Sequence, residues 1–66
     1  MSLRQKLGNN LKEYRKAKGW SQEHLAFEAG LHRTYISELE RGRKNCSIDV
    51  LEKLAEALDI EARQLI

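Results

Sequence analysis

Side chains able to bind an anion are concentrated in the first two thirds of the chain. Residues 1–46 contain ten Lys or Arg and five Asp or Glu, a net charge of +5, whereas residues 47–66 contain two and five, a net charge of −3. The two parts add to the formal charge of +2. This separation favours one surface that meets polyanions and a second that does not, although a solvated charge pattern without functional meaning predicts the same counts.

The sequence contains no arrangement of residues that would support catalysis or metal binding. Cys46 is the only cysteine, which excludes a disulfide within the chain, and no His/Cys cluster accompanies it. No Ser/His/Asp or Cys/His set has an orienting partner, no glycine-rich phosphate loop is present, and 66 residues leave little room for a pocket. We expect no enzyme activity, no metal and no other cofactor, and interpret Cys46 as a small, semi-buried loop residue.

The length predicts one small domain over residues 1–66. No apolar run approaches the roughly 18 residues of a membrane span. The N-terminus lacks the apolar segment of a signal peptide. We therefore expect a cytoplasmic protein without a membrane partner.

Helical periodicity runs through the sequence without proline or strand-like alternation, so the predicted fold class is all-α, a compact bundle of five helices. Ser21 and Ser47 are predicted to cap the second and fourth helices, and glycines follow three of the helices. The predicted helices cover about residues 2–18, 22–29, 33–41 and 47–58, with a weakly signalled short helix near residues 61–65.

The second and third helices are joined by a short turn that contains Gly30, which is the geometry of a helix-turn-helix over residues 22–41. A small side chain is needed where the two helices cross, and Ala26 meets that need. The turn requires a positive φ, which Gly30 adopts at little cost. The inward positions are all apolar: Leu25, Ala29, Leu31, Ile36 and Leu39.

Four stretches of the sequence resemble the lambda-repressor-like, or Xre, helix-turn-helix family. They are LGxxLKEYRK, WSQExLA, YISxLERG and SIDVLEKLAEAL, one in each of the first four helices. The run HRTYISELER also resembles the controller proteins of restriction-modification systems, although phage, plasmid and antitoxin regulators are similar there too. The resemblance implies a sequence-specific binder of double-stranded DNA that represses or activates transcription.

In such a motif the third helix enters the major groove with its N-terminal residues against base edges. If Ile36 points inward, a rotation of about 100° per residue directs four polar side chains outward: Thr34, Ser37, Glu38 and Arg41. Arg33 projects from the helix tip and is predicted to bind guanine, Thr34 a thymine methyl group or a phosphate, and Ser37 either edge. Glu38 could accept from cytosine N4, be repelled by phosphate, or pair with Arg41 or Lys44.

A second set of residues is predicted to contact backbone phosphates, as helix N-termini and basic loops do. Gln22 is assigned by the resemblance, and the others by their place at helix ends or in the basic loop, residues 43–46: His32, Arg41, Arg43, Lys44, Asn45 and Ser47. His32 stands where Ser, Thr or Asp usually caps the third helix, which weakens the expected geometry there. The resemblance also implies a buried ion pair between Arg15 and Glu40, which we interpret as structural rather than functional.

One helix in one groove covers too few base pairs to select a genomic site, so a homodimer on a (pseudo)palindromic operator is expected. The interface should avoid the basic face. The acidic C-terminal third contains more apolar residues than a small core can easily bury. We place it around four of them: Leu58, Ile60, Leu65 and Ile66. The alternative is that they only close the monomer core.

The main alternative function is a protein-interaction module, such as an antitoxin or coactivator-type domain that no longer contacts DNA. Only a DNA binder shows the salt dependence that counterion release produces. No effector domain is visible in the sequence, so we expect no small-molecule effector. The expected partners are double-stranded DNA and a second copy of the chain.

Overall fold

The computed structural model describes residues 2–66, and every regular element within them is helical. α1 spans Leu3–Ala17, α2 spans Gln22–Ala29, α3 spans Arg33–Glu40 and α4 spans Ile48–Leu58. A 3₁₀ turn over Ala62–Leu65 follows, here called the C-terminal turn. The predicted all-α class is confirmed, and no helix in this part of the chain is long and apolar enough to cross a membrane.

The prediction of a fifth α-helix is wrong, because residues 2–66 form four α-helices and a 3₁₀ turn. Asp59 ends α4 with a φ of 58°, so the chain leaves the helix direction there. The four residues that follow Glu61 close through tighter bonds, with the Gln64 N–H donating to the Glu61 carbonyl at 3.0 Å. So short a segment forms few i→i−4 bonds, and 3₁₀ geometry is common in such pieces.

Caps and glycines set the helix ends, and Ser2 is a cap in addition to the predicted Ser21 and Ser47. Ser2, Ser21 and Ser47 each accept a hydrogen bond from the backbone N–H three residues later, at 3.0–3.2 Å. Gly30 follows α2 with a φ of 69°, the left-handed conformation that lets the chain turn at once into α3. The turn between α2 and α3 therefore starts at a glycine, the residue type that adopts a left-handed backbone without strain.

The core is aliphatic and lies where the four helices and the C-terminal turn meet. Its largest fully buried side chains are Leu11, Leu25, Ile36, Leu39, Leu54, Leu58 and Leu65. Leu3 and Ile48, each the first residue of its helix, are 72% and 76% exposed. The apolar face of each of these helices thus reaches the core only beyond its first residue.

The C-terminal turn folds back onto α1, where Asn10 Nδ2 donates to the Leu65 carbonyl at 2.9 Å. The Leu65 side chain is completely buried, and that of Leu58 is 2% exposed. Neither side chain is available to a second copy of the folded chain, which corrects the expectation at these two positions. Of the four expected interface residues, Ile60 is half-buried and Ile66 is exposed.

α1 and α3 approach each other so closely that no side chain fits at Gly8. A Cβ atom there would lie 2.4 Å from the carbonyl oxygen of Leu39 and 2.8 Å from that of Glu40. Both carbonyls belong to the backbone at the end of α3, so only a shift of a whole helix would make room.

We expect Gly8→Ala to lower the free energy of unfolding by about 1–3 kcal/mol, because the added methyl group forces α1 away from α3. The sign of this change is informative, since replacing a glycine inside a helix by alanine normally stabilises a protein by about 0.5–1 kcal/mol. Urea unfolding followed by circular dichroism measures the change. An unchanged or raised midpoint would contradict the close approach.

Candidate nucleic-acid interface

α3 is held against the core by Ile36 and Leu39, which are 0% and 1% exposed. The four predicted base-contacting residues lie on its remaining surface: Arg33 and Thr34 are exposed in the first turn, and Ser37 and Glu38 are half-buried further along. Within residues 2–66 no ion pair joins Glu38 to a basic neighbour. The free protein therefore does not use the third role considered for that carboxylate.

The start of α3 has no side-chain cap. His32 occupies the N-cap position with a φ of −79°, and its exposed imidazole accepts no hydrogen bond from the first turn. The amides of that turn have no intrahelical acceptor either, as at the start of any α-helix. Backbone donors and the Arg33 guanidinium consequently lie at the same end of α3.

The start of α2 lies next to the start of α3. An open cleft of about 490 Å³ is lined by residues of both elements and of α1: Arg15, Ser21, Gln22, Glu23 and Arg33. The fold thus brings Gln22, a predicted phosphate contact, beside Arg33, a predicted base contact. Eleven positions separate them in the sequence, and Gly30 sets the turn between them.

The basic loop after α3 supplies the other predicted phosphate contacts. Arg41, Arg43, Lys44, Asn45 and Ser47 are all exposed. Ser47 Oγ accepts from the Val50 N–H as the cap of α4, so its own proton remains available for donation. Cys46 is half-buried, and burial raises the pKa of its thiol, which keeps it protonated.

Tyr35 also belongs to this surface, although the sequence predicts no role for it. Its hydroxyl donates to the Asn45 carbonyl at 3.1 Å, and Lys44 Nζ lies 5.9 Å from the centre of its ring, within cation–π range. Partial burial raises the pKa of Tyr35, so the hydroxyl retains the proton that it donates. The Tyr35 side chain thereby connects the basic loop to α3. The sequence signal that could have indicated this role is an aromatic residue on a mostly polar helix face.

Arg15 and Glu40 form a buried ion pair between α1 and α3. Arg15 Nε and Nη2 donate to the two carboxylate oxygens at 2.7 and 3.0 Å, and the side chains are 10% and 3% exposed. Arg15 Nη1 also donates to the Trp20 carbonyl, at 2.7 Å, in the turn before α2. No buried polar side-chain atom among the described residues lacks a hydrogen-bond partner, as a buried charge pair requires.

Gln22 joins the same ion pair. Its Nε2 donates to Glu40 Oε1 at 3.0 Å, so α1, α2 and α3 all contribute a side chain to one network. From the sequence alone, Gln22 is predicted at the surface and Glu40 in a buried ion pair, with no contact between them. Among residues 2–66 no group of three His, Cys, Asp or Glu side chains could hold a metal ion.

Comparison with known proteins identifies the family. Residues 11–65 match the helix-turn-helix family model. Over 66 residues the chain is 44% identical to the control protein C.BamHI of Bacillus amyloliquefaciens, covering 98% of this chain and 82% of that protein. This chain belongs to the helix-turn-helix family of DNA-binding transcriptional regulators. The regulator is also 48% identical to a hypothetical transcription factor of Neisseria meningitidis, of whose length it spans 60%.

Solved structures agree with this assignment. The regulator matches the restriction-modification controller protein C.AhdI of Aeromonas hydrophila with a TM-score of 0.93 and 52% identity, over 96% of both chains. It matches the biofilm master regulator SinR, solved in complex with DNA, with a TM-score of 0.86 and 42% identity, over 89% of this chain and 95% of that one. The family is one of DNA-binding regulators and not of enzymes.

We expect Arg15→Ala to destabilise the regulator by about 3–5 kcal/mol, because it leaves the Glu40 carboxylate buried without its counter-ion. Urea unfolding at low temperature, where a weakened domain remains folded, measures the loss. Arg63→Ala is the matched control, since it removes an arginine from the exposed pair with Glu61 and should change stability little. Similar losses of stability in the two variants would show that the buried pair contributes no more than the exposed one.

Proposed function

We propose that the regulator binds a two-fold-symmetric operator as a homodimer in the cytoplasm, with α3 of each copy in the major groove. The observation that carries the proposal is the exposure of Arg33 and Thr34 at the start of α3, beside the start of α2. Helix-turn-helix proteins present this end of the second motif helix to base edges.

Within this proposal the base-reading residues are Arg33, Thr34, Ser37 and Glu38. Arg33 binds guanine O6 and N7 with two donors, and Thr34 contacts a thymine methyl group or a phosphate. Ser37 and Glu38 lie further from the helix start and are half-buried, so fewer base edges are within their reach. We assign the main part of the sequence preference to Arg33.

Phosphate contacts fix the regulator on the duplex without reading sequence. We assign them to Gln22 at the start of α2, to His32 at the start of α3, and to the exposed residues after α3: Arg41, Arg43, Lys44, Asn45 and Ser47. The Tyr35 contacts with Lys44 and Asn45 support this assignment, because they hold the basic loop against the recognition helix.

The size of the molecule supports a dimer. One copy measures 26 × 23 × 21 Å, less than the roughly 34 Å between successive major grooves on one face of DNA. We place the interface around Ile60 and Ile66, at the acidic end of the chain. Ile66 is 52% exposed and lines a mostly apolar groove with Leu3, which is 72% exposed, and with Asn45 and Cys46 of the basic loop.

Selection of bound duplexes from a random pool tests the proposed function. We expect a consensus with two-fold symmetry, and a binding constant that falls steeply with salt because bound counterions are released from DNA. The likeness to C.AhdI supports a target within a restriction-modification locus. A pool that shows no enrichment, together with binding to another protein, would favour the alternative, an interaction module.

We expect Arg33→Ala to lose about 1–3 kcal/mol of binding to the selected consensus but little of the binding to unrelated duplexes. Lys44→Ala is the matched control, since it removes one positive charge outside the base-reading surface. It should weaken binding to all sequences alike and lower the salt slope by about one. Titrations at several salt concentrations measure both effects. Undiminished preference in Arg33→Ala would rule out its base-reading role.

We expect the double variant Ile60→Asp/Ile66→Asp to sediment as a monomer at micromolar concentration, because each carboxylate would be desolvated in the interface. Phe27→Asp is the matched control, since Phe27 is 81% exposed on α2, remote in sequence from the proposed interface. The control should remain dimeric. A parent protein that is monomeric, or a dimer that survives both substitutions in a folded protein, would refute this interface.

A further inference from the structure

The Gln22 side chain has a fixed orientation before any ligand arrives. Its Nε2 donates to Glu40 Oε1 at 3.0 Å, and the residue is half-buried at the first position of α2. An ionised carboxylate accepts hydrogen bonds and does not donate, so the amide nitrogen of Gln22, and not its oxygen, must face Glu40. One amide N–H and the amide oxygen remain for other partners.

Glu40 is a rigid acceptor for that amide. Its side chain is 3% exposed, and Arg15 holds both carboxylate oxygens. Arg15 also neutralises the carboxylate, so Glu40 can lie one side chain away from a bound phosphate without presenting an uncompensated negative charge to it. A lone carboxylate at this place would repel the same phosphate.

The backbone that leads into α2 is tied to the same ion pair. Arg15 Nη1 donates to the Trp20 carbonyl at 2.7 Å, and the Trp20 N–H donates to the Arg15 carbonyl at 3.2 Å. Trp20 lies two residues before Gln22. The main chain before α2 and the first side chain of α2 are therefore held by one buried arginine and its partner.

We propose that Glu40 is a positioning residue for DNA binding, which holds the Gln22 amide so that its remaining N–H meets a backbone phosphate. This inference rests on the proposed phosphate contact of Gln22. An amide that is already ordered loses less side-chain freedom when DNA binds, which strengthens the complex. The ion pair thus has a role in binding beyond the structural one expected from the sequence.

Scanning one operator half-site with methylphosphonates tests the proposal on the full chain. Each methylphosphonate removes the charge of one phosphate, and its effect on affinity is measured for every variant. In the parent protein, replacing the phosphate that Gln22 contacts weakens binding. In Gln22→Ala the same replacement should no longer weaken binding, which identifies that phosphate. This step identifies the contact without a structure of the complex.

Glu40→Gln should reduce the effect of the methylphosphonate at that same phosphate and leave the other phosphates as in the parent. Affinity for the unmodified operator should fall by about two- to tenfold, the range for ordering one side chain. In a Gln22→Ala background, Glu40→Gln should have no further effect at that phosphate. Glu52→Gln is the control, since it makes the same change of charge at an exposed position of α4 and should alter no single phosphate.

A loss that is equal at all phosphates, or equally large with and without Gln22, would show that Glu40 only maintains the fold and would overturn the proposal. If Gln22→Ala changes no phosphate, then Gln22 makes no such contact, and both assignments are wrong. The Arg33 measurement is independent of this result, so it decides separately whether base reading by α3 stands.

Glu40→Gln leaves Arg15 with a weaker partner, and unfolding of this variant would obscure the result. Arg15→Met/Glu40→Leu removes both charges together, a change that buried ion pairs often tolerate. The double variant also deprives Gln22 of its acceptor. It should show the same selective loss at the Gln22 phosphate, and an unchanged effect at that phosphate would overturn the proposal.

Discussion

The arrangement of the first three helices depends on the buried ion pair between Arg15 and Glu40. Removing two charges from water costs several kcal/mol, and only complete pairing offsets this cost. Both carboxylate oxygens and the Trp20 carbonyl satisfy the guanidinium, and Gln22 adds a further donor to the carboxylate. All these bonds form together only when α1, the turn before α2 and the end of α3 hold one relative position. The pair therefore selects that position more than it adds stability.

Close backbone contact on the same face of α1 complements the ion pair. Gly8 and Arg15 are seven residues apart, about two helical turns, so both face the end of α3. The missing side chain at Gly8 lets the backbones meet, and the guanidinium of Arg15 then reaches the Glu40 carboxylate. Ala26 of α2, at the predicted crossing of α2 and α3, is 4% exposed. Small residues thus set the distances, and the charge pair sets the register.

The proposed DNA-binding surface lies on the outer side of the same elements. Ile36 and Leu39 anchor α3 in the core, which leaves Arg33 and Thr34 exposed at its start. Tyr35 lies between these two faces and connects the helix to the basic loop through the Asn45 carbonyl. Rigid support beneath a polar surface is what a DNA-reading helix requires, because a loosely held arginine cannot keep both of its hydrogen bonds to one base.

Helix boundaries, the motif over residues 22–41 and most of the core could be predicted from the sequence, because caps, glycines and apolar periodicity act over a few residues. Local signals failed where the outcome depended on a distant neighbour. Leu65 reads as a spare apolar residue, but its backbone bonds to Asn10 and its side chain closes the core. Gln22 and Glu40 could be placed on their helices but not joined, because their contact depends on how α2 and α3 cross. Residue spacing determines which way a side chain points from its own helix, whereas only the tertiary structure decides what it meets there.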